Sequence, residues 1–178
     1  SNTAVGTHSM YSNLSGSANV AMGGYSLYNN SSGGFNTAIG VNSLANNVAG
    51  SHNTGTGMRT LQFTTGDYNT AMGSAALRFN STGIYNTAMG YSALQSPNTG
   101  SQNTALGAQA LFANSSGDFN TSVGVNALYT NTSGKENVAV GAEALFKAIT
   151  ASQNTAVGRS ALFNTTGALN TAVGIAAL

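Results

Sequence analysis

Apolar and polar positions along this chain recur with a single period. An Asn followed by Thr or Val stands at Asn2, Asn19, Asn36, Asn53, Asn69, Asn86, Asn103, Asn120, Asn137, Asn154 and Asn170, a spacing of 17 residues interrupted twice by 16. Counted from that Asn, position 5 is glycine in every copy: Gly6, Gly23, Gly40, Gly57, Gly73, Gly90, Gly107, Gly124, Gly141, Gly158 and Gly174. Position 9 is Leu, or Met10 in the first copy, and position 4 is Val, Ile, Leu or Met except at Thr56. Position 3 is Ala except at Gly55 and Ser122, and a second Gly precedes each following Asn by two or three residues except at Ala151. The consensus Asn-Thr-Ala-Val-Gly-x-x-Ala-Leu, followed by a polar Asn-x-Ser/Thr-Gly stretch, runs over residues 1–178. It defines a single repeat domain with no linker.

Seventeen residues are too few for a helical-hairpin repeat of roughly 34 residues or a propeller blade of roughly 40, and suit one coil of a β-solenoid. The expected fold class is therefore all-β, a parallel β-solenoid of about ten coils. Strand alternation predicts positions 2 and 4 on one face, pointing inward, and positions 1, 3 and 5 on the other. Glycine at position 5 is expected to end the strand in a backbone conformation closed to other residues, and Asn-x-Ser/Thr-Gly reads as a second turn. Position 9 is expected to return to the interior beside position 4. At about 4.8 Å per coil the rod should be roughly 48 Å long, with the repeat asparagines forming a ladder.

Composition narrows the function. Only 5% of residues are charged and the net charge is +1, which excludes the basic footprint of a nucleic-acid binder. No apolar run approaches the ~18 residues of a membrane helix, so direct membrane insertion is not expected. With no cysteine there is neither a thiolate metal site nor a disulfide. Asp67 and Asp118 occupy equivalent positions three coils apart, about 14 Å, too far for paired carboxylates. His8 and His52 are likewise separated. The chain reads as non-enzymatic, without metal or cofactor.

The Asn-Thr-Ala-Val-Gly core with Ala-Leu four residues later, clearest in Asn36 to Leu44, Asn69 to Leu77 and Asn154 to Leu162, resembles the repeat of trimeric autotransporter adhesin heads of the YadA-like type. It is also similar to Asn-Thr-Ala-x-Gly-x-x-Ala-Leu arrays of phage tail fibres. The resemblance implies a left-handed β-roll, three chains side by side as a homotrimer, and attachment to a host-cell receptor or glycan. The implied location is extracellular, on a bacterial cell surface or a phage virion. The chain starts one residue before a repeat and stops at position 9 of another, and is expected to be a piece of a longer fibre.

Two alternatives stand beside attachment. One is a passive spacer in a fibre shaft. The other is an ice-binding solenoid, since nine of eleven repeats carry Thr at position 2; against it stands the expectation that this face points inward. Most aromatics lie at positions 10 and 11 or just before the next Asn, either as a sugar-stacking surface or, more simply, packed against a neighbouring chain. If the chain binds a receptor itself, the fourth repeat is the expected place. It departs most from consensus, and His52, Arg59, Phe63, Asp67, Tyr68 and Arg78 lie within about two coils of one another.

Overall fold

The computed structural model describes residues 1–96 and 98–178. Each repeat contributes one three-residue strand, from β1 (Thr3–Val5) to β11 (Thr171–Val173). The eleven strands form one parallel sheet in chain order. Pairing is in register, so that Thr87 faces Thr104 and Ala88 faces Ala105. The chain is thus a parallel β-solenoid of about ten turns, each close to 17 residues.

Strand facing is the reverse of the sequence expectation. Position 3 points inward: Ala21, Ala38, Ala71, Ala88, Ala105, Ala139 and Ala156 are fully buried. Positions 2 and 4 point outward, and Met22, Ile39, Met72, Met89, Leu106, Val140 and Val157 are 36–44% exposed. The reason is the small cross-section of the coil. Its interior is already filled by the fully buried Leu27, Leu44, Leu61, Leu77, Leu94, Leu111, Leu128 and Leu145 at position 9 and by the repeat asparagines. Only a side chain as small as Ala, or Ser122 in the eighth coil, fits opposite them. Leu at position 9 therefore lies in one core with Ala at position 3, not with position 4.

The repeat asparagine does two jobs inside the rod. The Asn19 side-chain amide donates to the Gly33 carbonyl of its own coil, closing the turn, while its Oδ1 accepts from the Asn36 backbone N–H of the next. The same pair recurs at Asn103 with Gly117 and Asn120. From Asn103 to Asn154 the amide of each Asn also donates to the previous Oδ1, as the expected ladder requires. A second buried rank, on the same glycine turn as the first, runs through Asn30, Asn47, Asn80, Asn98, Asn114 and Asn131. There, Asn114 Nδ2 donates to Asn98 Oδ1 and to Gly117 O.

Every position 5 glycine has positive φ, between 112° and 138°, as expected of the corner. A Cβ on Gly107 would lie 2.7 Å from the carbonyl carbon and oxygen of Gly124 in the next coil. The corner thus needs glycine for conformation and for coil spacing. Leu at position 9 also sits in the left-handed region, as do the residues at position 7 and immediately before each Asn, for example Leu111, Gln109 and Gln102.

Candidate functional site

Because the coils stack in register, each outward position becomes a column of side chains along the rod. The column just before each Asn carries Phe35, His52, Tyr68 and Tyr85. His52 is held between Phe35 and Tyr68, each centroid 4.8 Å away and nearly parallel, and Tyr85 continues the stack at 4.9 Å. A second column at position 10 holds Phe112, Tyr129, Phe146 and Phe163, spaced 5.0–5.2 Å. These aromatics therefore pack on one another within the chain. Inside such a stack both ring faces are covered, and a free face remains only where a column ends.

The six residues singled out in the fourth repeat do not share one column. His52 and Tyr68 share the first stack, beside Asp67, whose Oδ1 accepts from the Ser51 backbone N–H at 2.7 Å. Elsewhere, Phe63 stacks on Phe79 at 5.5 Å, and Arg78 covers the Phe79 ring at 4.6 Å while its Nε donates to Gln62 Oε1. Arg59, at position 7, is exposed. Among the described residues, no hydrogen bond, ion pair or ring contact joins His52, Asp67 and Tyr68 to Arg59, Phe63 and Arg78.

Packing accounts for much of the irregularity of this repeat. A Cβ at Gly55 would lie 2.7 Å from Ser43 Oγ and 2.9 Å from Thr60 Oγ1, so these two hydrogen-bonded hydroxyls at position 8 leave no room for Ala. The missing residue falls in the second turn, where Thr64 stands in the asparagine rank and its Oγ1 accepts from Asn80 Nδ2 at 3.2 Å.

Titratable groups are few and scattered. Asp118 pairs with Lys135 at 2.7 Å and accepts from the Ser101 N–H. Partial burial pushes its carboxyl up, but the Lys135 hydrogen bond, the Ser101 N–H and the Lys135 charge outweigh that and hold it below the usual range. Among the described residues, no three His, Asp or Glu side chains gather to hold a metal. A cavity of about 590 Å³ lined by Leu162, Phe163 and Asn170 opens beside the coil that begins at Asn154.

The sheet face is the most regular surface. Position 2 presents Thr in nine of eleven coils. Among the described residues, none of those hydroxyls makes a hydrogen bond within the chain. Beside this rank runs the apolar rank at position 4. Both were expected inside. No protein-family model, curated protein or solved structure matches this chain.

Proposed function

We propose that this chain is a non-enzymatic structural and attachment module of an extracellular fibre, a surface adhesin or tail fibre, and that it assembles side by side as a homotrimer through its sheet face. The observation that carries this reading is the outward rank of Val, Met, Ile and Leu at position 4, exposed by 36% or more at nine coils. The rank runs the length of the rod, roughly 48 Å, broken at Thr56, and adds up to several hundred Å² of apolar surface, at the upper end of what a monomer leaves uncovered. The interior supports the same conclusion. Apart from one Leu per coil, or Met10, it is built of Ala, Gly, Asn and a few Ser and Thr, which bury little apolar area against an ordering cost of order 1–2 kcal/mol per residue.

Light scattering tests it: the particle should have about three times the 17.8 kDa chain mass. The double change Met89→Glu and Leu106→Glu should release folded chains from the assembly. A stable parent monomer at micromolar concentration overturns the trimer. Adhesion of the assembled rod to cells separates attachment from the spacer reading.

A second reading is favoured by one observation. Because Thr at position 2 points outward with a free hydroxyl, the sheet face carries a regular hydroxyl rank beside a methyl rank, the arrangement an ice-binding face requires. Thermal hysteresis from a monomeric chain would establish it in place of the trimer.

A further inference from the structure

The aromatic column at position 10 is interrupted in its middle. Tyr11 and Tyr28 stack at 5.4 Å, and on the far side Phe112 begins a run of four rings. The first coil after Tyr28 places Ala45 in the column, and the next places Gln62. Backbone bonds from Asn29 to Ala45 O and from Asn46 to Gln62 O fix this register. Four successive coils, with Ala45, Gln62, Arg78 and Gln95, carry no ring in this column, and the first of them carries only a methyl group, between the face of Tyr28 and the amide of Gln62. Two coil steps span about 10 Å, enough for one flat ring between them.

The surroundings of that step follow from the same register. Positions 7 and 10 are neighbours on the surface, as Tyr25 and Tyr28 demonstrate at 5.4 Å. Position 7 supplies Tyr25, Asn42 and Arg59 on three successive coils, so the notch over Ala45 has two phenols on one rim and a guanidinium and an amide on the other. Gln62 Oε1 is occupied by Arg78 Nε at 3.0 Å, which fixes its amide and leaves Nε2 free to donate. Arg59 is exposed, and among the described residues it has no carboxylate or ring partner. Ala45, 5% exposed, is the floor. These groups lie past the glycine corner from the sheet face.

We infer that the Ala45 notch is a subsite for a carboxylate-bearing sugar residue, its ring face stacked on Tyr28, its hydroxyls bonded by Asn42 and Gln62, and its carboxylate paired with Arg59. This rests on the attachment reading and names its ligand class. Stacking suits the apolar face of a pyranose, and a planar guanidinium matches a carboxylate in bidentate fashion. A neutral sugar leaves Arg59 unused.

The test is titration calorimetry of the assembled chain with trigalacturonate and with sialyllactose, and with lactose as the neutral control. At least one acidic probe should bind and lactose should bind at least tenfold more weakly. Ala45→Phe adds a third ring to the Tyr11–Tyr28 stack and should keep the melting temperature while lowering affinity at least tenfold. Arg59→Gln, at an exposed position, should remove the preference over lactose. Failure of the parent chain to bind either acidic probe, or undiminished binding by Ala45→Phe, overturns the subsite. Particle mass and cell adhesion are measured on the same samples, so a trimeric, adherent rod that ignores these sugars refutes this inference alone.

Discussion

Leu111 is a buried, γ-branched residue at φ 53°, a backbone state that costs an L-residue of order 1–2 kcal/mol. The coil sustains that cost because the same residue is fully buried and its N–H donates to Ala127 of the next coil at 2.9 Å. Glycine carries the tighter constraint. Replacing Gly107 by Val puts a β-branched side chain at φ 134° and into the Gly124 carbonyl, and should cost about 3 kcal/mol or more, read as a fall in melting temperature. Gly55 is held by bulk instead, since its φ is ordinary. Gly55→Ala alone should destabilise by about 1–2 kcal/mol, and adding Ser43→Ala, which removes the nearer hydroxyl, should recover most of it. An additive double-mutant cycle would mean that the two side chains do not compete for the same space.

At the scale of the coil, the asparagine ranks behave as continuous elements whose gaps can be counted. Asn131 Oδ1 and Asn47 Oδ1 are buried without a partner. The coil after Asn131 puts Ala148 in the rank and the coil after Asn47 puts Thr64 there, so neither supplies the amide that Asn114 receives from Asn131 at 3.0 Å. Ala148→Asn should restore the missing donor and raise stability by about 1 kcal/mol in chemical denaturation. The repeat, the glycine corner and the first asparagine rank were legible in the sequence because each demands one residue type. The facing of the strand was not: Thr-Ala-Val alternates equally well either way, and the choice depends on how much volume Leu and Asn leave inside. Nor did Leu at position 9 announce its left-handed backbone, a state normally signalled by Gly or Asn. The second asparagine rank read only as turn chemistry, because a turn Asn and a buried rung look alike in one copy. Of the proposed binding surface, Arg59 stood out as a departure from consensus. Ala45 did not, since an Ala among small residues gains meaning only once it interrupts a column of rings.

For the whole molecule, the assembly we propose is tested on the sheet face: the particle mass together with Met89→Glu and Leu106→Glu distinguishes a trimer from a solitary rod. The direction of the bonds between coils has a mechanical consequence. Successive coils are joined by hydrogen bonds along the rod, from Thr87 N–H to Asn103 O at 2.8 Å through Leu94 N–H to Ala110 O at 3.0 Å. A pull on the two ends of a single chain therefore loads these contacts one coil at a time, as in a zip fastener, instead of shearing the whole sheet at once. Each released coil lengthens the tether by about 50 Å, from 17 residues at roughly 3.3 Å each less the ~4.8 Å that the coil occupied. Optical-tweezer extension of one chain should produce a staircase of such steps at low force, and a single abrupt rupture would contradict it. A rod built this way gives ground under tension in small instalments and can rewind when the load falls.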